Sequence, residues 1–338
     1  MNTIPLHQLP DEASLLVLQS MEIYDQLAYS LCSKNTKKSI KSLNLTAEKI
    51  YFCVFDSLEF EFRFKDNLVF WSSMNHDYFF PNEEFIVPKG IKAHTGSTYE
   101  RSEWELKSQN IGVKEWLHHF CEVLHHPRID DLYFNGVEIE EDFIKPVQKV
   151  IEGLQLVYFG LGEDLTPEFT KKALESFHNY EELHIDRISF NSHDVHEMDR
   201  FLVQNLSEVF SWGAERLQMS QLLISNCEKL RLMRSLFTDK DLKVFLKLWI
   251  HGSNPRLKYF YTCRRSLPEQ PDRPFNEEMF FKGINRTKIP MDSQEVYREK
   301  MDASYKTKLA GGSRIWRYDG TPAVVLITLF GFELFVDV

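Results

Sequence analysis

His118, Cys121 and His125 recur at helical spacing, so one helix face would carry two imidazoles and a thiol. Zinc accepts nitrogen and sulfur ligands of this kind. No fourth ligand stands at a matching spacing, and Cys121 also continues the apolar stripe of Trp116, Leu117 and Phe120. Packing is therefore the better reading, and no metal site is expected. A second group, His178, His184, His193 and His196 with Asp186 and Asp194, offers bases and carboxylates. It lacks a Ser or Cys in a nucleophile elbow. Neither the G-x-x-x-x-G-K-[ST] nor the G-x-G-x-x-G phosphate loop occurs. Asp319-Gly320-Thr321-Pro322 resembles a phosphatase fragment in isolation, but it sits between two alternating runs and reads as a turn. The expectation is a non-catalytic chain with no cofactor.

Charge and cysteine usage narrow the partners. The 338-residue chain has a net charge of −10, against generic nucleic-acid binding. Locally the sign reverses. Residues 229–265 hold ten Lys and Arg against Asp239 and Asp241, while residues 137–168 hold eight acids against Lys145 and Lys149. Such opposed fields can select a partner, although solvated outer faces of helices give the same runs. The five cysteines, Cys32, Cys53, Cys121, Cys227 and Cys263, are odd in number and widely spaced, which suits a reducing compartment, cytoplasmic and/or nuclear. No signal peptide is visible. The most apolar stretch, Val324 to Val336, is interrupted by Thr328, Gly331 and Glu333, so no membrane span is expected.

These side chains need elements to position them. Residues 1–45 read as three short helices, with Asp11 able to cap the first and Leu27 and Leu31 sharing a face of the second. Ile50 to Phe55 is a β-type run, and Leu58, Phe60, Phe62 and Phe64 alternate with Glu59, Glu61 and Arg63. With Leu68 to Trp71 they predict an antiparallel meander over 48–73, followed by a loop-rich connector over 74–110. Val113, Trp116, Leu117, Phe120, Cys121 and Leu124 then form a helical stripe stopped by Pro127. Beyond it, strand and helix patterns alternate. Thr166-Pro167 is a cap followed by a first-turn proline, opening a helix through Phe177. Leu242, Phe245, Leu246, Trp249 and Ile250 give another stripe, ended by Gly252-Ser253-Asn254-Pro255 and followed by a strand at Arg256 to Phe260.

Strand centres near Leu132, Leu156, Leu183, Leu230 and Leu257 lie about 25 residues apart, with one further unit expected around Leu206 to Phe210. A strand–helix unit repeating at this length predicts a leucine-rich-repeat-like α/β solenoid. An ordinary open α/β sheet with parallel strands shares most of these local features. The chain ends in a hairpin at Asp319-Gly320 and a last strand, Phe332 to Val336.

Ile4-Pro5-Leu6-His7-Gln8-Leu9-Pro10-Asp11-Glu12, Met21 to Leu27, Leu31-Cys32-Ser33-Lys34 and Leu43-Asn44-Leu45 resemble an F-box of the family expanded in nematodes. Phe245 to Ile250 with Gly252 to Leu257 resembles that family's type 2 F-box-associated domain. Arg317 to Thr321 is similar to its C-terminal hairpin, and Trp116-Leu117-His118-His119 also fits. The resemblance implies a substrate-recognition adaptor of an SCF-type cullin–RING E3 ubiquitin ligase. Its F-box would dock on the Skp-type linker, and through it on cullin, by way of Leu9, Pro10, Val17, Leu18, Met21, Leu27 and Leu31, with Cys32 behind them. Ala13 and Ser14 stand where the common pattern has a Leu pair, and residues 35–38 lack the Trp that many F-boxes carry. A small helical cap packed on the solenoid's end would show the same pattern. A ligase-independent binding module and an undetected enzyme are the competing functions.

The expected architecture is thus α+β/α/β. It comprises an F-box at 1–45, a β meander and connector at 46–110, and a repeat-like α/β substrate-recognition domain at 111–338. Arg256, Lys258, Arg264 and Arg265 are the expected substrate-facing residues, suited to an acidic protein partner.

Overall fold

The computed structural model describes residues 6–55, 58–65, 69–74, 90–95, 102–107, 111–137, 139–187, 198–264, 275–290, 311–328 and 331–336. The chain divides into two compact units, residues 1–159 with 172–180 and residues 160–171 with 181–338.

In the first unit, a short 3-10 turn leads into α1 (Asp11–Ser20), α2 (Ile23–Ser30) and α3 (Lys34–Lys41). Asp11 is the first residue of α1 rather than its cap. Pro10 holds the cap position without a side-chain bond, so Asp11 acts on the positive helix end through its charge. Gln26 ties α2 to α1 by donating its amide Nε2 to the Leu18 carbonyl at 2.7 Å and the Met21 carbonyl at 3.1 Å. Ser33 and Thr36 close a reciprocal cap on α3.

The meander runs through β1 (Lys49–Val54), β2 (Leu58–Arg63), β3 (Val69–Met74), β4 (Gly90–Thr95) and β5 (Ser102–Lys107), each antiparallel to the next. Two of these strands lie where a loop-rich connector was expected. Glu103-Trp104-Glu105-Leu106-Lys107 does alternate, but the run is short and set in polar sequence, so pairing in the ladder is what establishes these strands. α4 (Val113–Val123) follows, and then β6 (Arg128–Phe134), which pairs parallel with the free edge of β1. Phe62 and Phe120 meet edge to face at 5.4 Å, fixing α4 on the meander. α5 (Ile144–Ile151) precedes β7 (Gln155–Leu161) and α6 (Pro167–Ser176), which are shared between the units. The expected cap on α6 is present, with Phe169 N donating to Thr166 Oγ1 at 3.1 Å.

In the second unit, β8 (Glu182–Arg187), α7 (Asp199–Leu202), β9 (Glu208–Gly213), α8 (Met219–Ile224), β10 (Lys229–Ser235), α9 (Asp239–Ile250) and β11 (Tyr259–Arg264) alternate strictly. β8, β9, β10 and β11 are mutually parallel in sequence order. The sheet then turns antiparallel. After α10 (Glu277–Phe281), β12 (Thr287–Lys288), β13 (Ser313–Trp316), β14 (Pro322–Ile327) and β15 (Gly331–Val336) extend it in the order β11-β15-β14-β13-β12. The result is a mixed, strand-rich sheet. The terminal hairpin is part of that sheet, not a separate appendage to a repeat array.

One face of this sheet is the core. Leu183, Val209, Leu230, Phe260, Leu334 and Val325 form one row across the strands. Ile185, Ser211, Leu232, Thr262, Phe332 and Ile327 form the next. Phe245 of α9 packs on Phe260 at 5.0 Å and Phe280 of α10 on Phe332 at 5.3 Å, so these helices cover this face.

The strand expected at Arg256 to Phe260 begins at Tyr259. The preceding residues are occupied by the turn that ends α9. Gly252 has φ +104° and Asn254 φ 48°, and buried Asn254 donates its amide to the Leu222 carbonyl at 2.9 Å and the Ser225 carbonyl at 2.8 Å. Those are carbonyls at the end of α8, so one left-handed asparagine closes two helix ends. The tip of the β13–β14 hairpin rests on the same turn. Tyr318 N donates to the Ile250 carbonyl at 2.8 Å, and the Arg317 guanidinium lies 5.6 Å from the Trp249 ring centre.

Candidate protein-interaction surfaces

Leu15, Leu16, Val17 and Leu18 are consecutive in α1, and at 100° per residue they point around the whole helix. Only Leu18 turns inward, at 3% exposure; Leu16 is 67% exposed and Leu15 and Val17 40% each. Pro10 is exposed, and Leu9, Met21 and Leu31 are half-buried. Apolar side chains on several sides of a helix normally have neighbours on those sides. Here the outward sides face water within this chain. The grouped apolar surface has the character of a protein docking patch.

The expected linker-facing residues therefore separate into two sets. Pro10 and Val17 face outward, with Leu9, Met21 and Leu31 at the margin. Leu18 and Leu27, the latter 1% exposed, lie inside the helical cap and hold its helices together. Cys32 is exposed, not behind the patch. The linker-facing set expected from sequence left out Leu15, placed with Leu18 and Met21 on one side of the first helix, and Leu16, although the unbroken run through Leu18 is itself the signal: four successive apolar side chains cannot share one helix face.

The cap is fastened to α4. The Ser30 hydroxyl donates to the Leu27 carbonyl at 2.6 Å and meets His119 Nε2 at 2.8 Å, leaving the imidazole to donate. Lys37 and Lys41 both grip Glu122, at 2.6 Å and 3.0 Å. Burial, with Lys37 nearby, lowers the His119 pKa to about 4, whereas the hydrogen bonds from Lys37 and Lys41 lower that of Glu122 to about 2. At neutral pH the junction thus holds a neutral imidazole and an ionised carboxylate. The three metal candidates diverge: His118 and Cys121 are on α4, and His125 lies beyond its end at φ 51°. His118 Nε2 meets the Val150 carbonyl at 3.1 Å, His125 Nε2 meets the Lys41 carbonyl at 3.0 Å, and Cys121 is buried in the core with its thiol pushed up to about 12.

A second surface lies on the other face of the parallel strands in the second unit. His184, Phe210, Arg231, Tyr261 and Glu333 form one row across β8, β9, β10, β11 and β15. His184 meets Phe210 edge to face at 4.4 Å and donates its Nε2–H to Asp186 Oδ1 at 2.8 Å. Arg231 lies over Phe210 at 4.7 Å and bonds to Glu208. Beyond β11 this face is filled by Tyr259, Ile289, Val324, Leu326 and Phe335. On β9, Phe210 is buried while Trp212 stands 50% exposed, edge to face with it at 5.3 Å.

At the carboxyl ends of β8, β9 and β10 there is a cavity of about 350 Å³. Trp212 and Gly213 line it with the acids Glu163, Asp186 and Glu215 and the bases Arg187, Arg216 and Arg234.

The expected substrate-facing residues are not brought together. Arg256 and Lys258 precede β11 and both pair with Glu228, at 3.4 Å and 2.7 Å. Arg264 ends the same strand, pairs with Asp239 and stacks over Phe275 at 3.8 Å. Their charge is spent within the chain, and the strand's length separates them. Arg265 lies outside the described residues, as do His193, His196 and Asp194. Among the described residues, no helix is long and apolar enough to cross a membrane.

Two family models match the chain. The F-box domain model covers residues 6–48, the helical cap with the exposed patch, and the F-box associated model covers residues 197–262, from α7 into β11. The helix–Gly-Ser-Asn-Pro–strand segment quoted from sequence falls inside the second match. The chain is 27% identical over 294 residues, 83% of its own length and 84% of the relative's, to the F-box associated domain-containing protein sdz-33 of Caenorhabditis elegans. No solved structure matches.

Proposed function

We propose that this protein is a non-catalytic substrate-recognition adaptor of an SCF-type cullin–RING ubiquitin ligase. The F-box patch docks on the Skp-type linker, and the second unit holds a protein substrate near the ligase. The observation that carries this reading is the exposed Leu15-Leu16-Val17 surface inside the segment matching the F-box model. Apolar side chains at the centre of a small patch, rimmed by polar residues, are where docking energy concentrates. The F-box associated match to residues 197–262 supports a recognition role for the second unit. The sequential parallel order of β8 to β11 supports the leucine-rich-repeat-like reading of that stretch. Such an adaptor works in the cytoplasm or nucleus, where its partners are.

One observation favours a second reading, a ligase-independent binding module with a divergent F-box. Ala13 and Ser14 replace the usual Leu pair, and the Ser14 hydroxyl is engaged internally, donating to the Leu6 carbonyl at 3.1 Å. Co-purification with a Skp-type linker separates the two. Capture by the wild type and loss with Leu9→Ala/Pro10→Ala supports the adaptor; no capture by the wild type favours the module.

A further inference from the structure

We propose that the cavity at the carboxyl ends of β8, β9 and β10 binds a substrate segment of mixed charge. A carboxylate of that segment meets the open fork of Arg234, and a neighbouring cationic side chain lies against Trp212 and Glu163. The inference deepens the adaptor reading, on which the identity of the second unit as the substrate-holding part rests.

The location comes first. Three successive parallel strands end here, and residues at their carboxyl ends, Asp186-Arg187, Trp212-Gly213 and Arg234, wall one cavity. The volume of about 350 Å³ lies within the usual range of ligand sites.

The backbone of Arg234 is the second observation. Leu230 and Leu232 of β10 point into the helix-covered core, so regular alternation would send residue 234 inward too. Instead the register shifts between Leu232 and Ser235, and Arg234 takes φ 55°. Ser235 occupies the buried position, hydrogen-bonded to Thr262 at 2.7 Å, and Arg234 turns outward to line the cavity. Bulges re-aim side chains in this way, and a left-handed non-glycine residue costs conformational free energy that a glycine would avoid. Keeping an arginine there rather than a glycine calls for a use of its side chain. Among the described residues, Arg234 makes one ion pair, through Nε to Glu215 at 3.4 Å. That geometry leaves the Nη fork available for bidentate contact with a carboxylate.

Charge decides the ligand class. Three carboxylates and three guanidinium groups line the cavity, so its formal charge is zero. A polyanion such as nucleic acid would meet Glu163, Asp186 and Glu215, and a polybasic segment would meet the arginines. A segment carrying both signs satisfies both. Trp212 offers an exposed aromatic face for a cation beside exposed Glu163.

The test uses the full chain and four fluorescein-labelled, end-capped peptides of one length in a Gly-Ser background. They carry Lys-Ser-Glu, Lys-Ser-Lys, Glu-Ser-Glu or Gln-Ser-Gln, and binding is read by fluorescence anisotropy. The mixed-charge peptide is expected to bind at least fivefold more tightly than the other three. Arg234→Gln and Trp212→Ala should each weaken it at least fivefold, and Lys258→Gln, at the opposite end of the strands, should not. Arg234→Gly guards against a folding artefact. It relieves the left-handed strain, so its melting temperature should equal or exceed that of the wild type while peptide binding is lost. Equal binding of all four peptides, no binding of the mixed one, or undiminished binding by Arg234→Gly overturns the proposal. These measurements need no linker, so their failure leaves linker capture, the test of the adaptor reading, untouched.

Discussion

The exposed side of α1 allows a worked prediction. Fully burying a Leu or Val side chain is worth about 1.5–3 kcal/mol. Leu16 keeps 67% of its surface open and Leu15 and Val17 40% each, so on the order of 1–2 kcal/mol and about 0.6–1.2 kcal/mol apiece remain to be gained at a dry interface. Truncating all three to Ala keeps the Cβ share and should remove about 2–3 kcal/mol, a weakening of Kd by roughly 30- to 150-fold. Titration calorimetry against a recombinant Skp-type linker measures this directly. The free chain should lose less stability than with Leu18→Ala, because Leu16 stands mostly in water and only the covered shares of Leu15 and Val17 are given up, so its melting temperature should fall by clearly less than that of Leu18→Ala. Leu18→Ala is the opposing control. At 3% exposure it should cost about 2–5 kcal/mol of stability. A triple variant that binds the linker with wild-type affinity would refute the claim that α1 presents the docking face.

The junction between the cap and α4 should be acid-sensitive. The folded pKa of His119 is held near 4 against an ordinary 6.5, so the unfolded state binds the extra proton first, and stability is lost as pH falls from about 6.5 to about 4. Glu122 adds a second loss as pH falls through its lowered value near 2. Chemical denaturation across pH, with His119→Gln flattening the upper step, checks the assignment. Asn254→Ala strands two buried carbonyls and forces alanine into φ 48°, for a cost of about 2–4 kcal/mol. Asn254→Gly keeps the backbone and should lose clearly less, as compared by denaturant midpoints. Gly252→Ala would place its Cβ 2.5 Å from the Tyr318 ring at φ +104°, costing about 1–3 kcal/mol. Adding Tyr318→Ala should recover the steric part and leave the backbone part, so an unchanged melting temperature in the double variant relative to Gly252→Ala alone would contradict the contact.

The local elements were legible wherever one periodicity dominated. The alternation of Leu58, Phe60 and Phe62, the stripe from Val113 to Cys121 and that from Leu242 to Ile250 each encode an element together with the face it buries, since burial repeats every second residue in strands and about every third or fourth in helices. Thr166-Pro167 and Asp319-Gly320 likewise announced a helix start and a turn through backbone chemistry alone. The helical opening of the chain carried its resemblance in residue order. What pattern could not supply was the identity of the neighbour. Gly90–Thr95 and Ser102–Lys107 are strands because another strand pairs with them, not because their side chains demand it. The basic run from Lys229 to Arg265 looked like one field, yet Arg256 and Lys258 converge on Glu228 and Arg264 on Asp239, because a strand carries its ends apart. Leu15, Leu16, Val17 and Leu18 are equally apolar in sequence, and only packing decided that one is covered and three are left exposed. Arg234 likewise faces outward through a single shift in register, which is a property of two strands meeting and is written in neither alone.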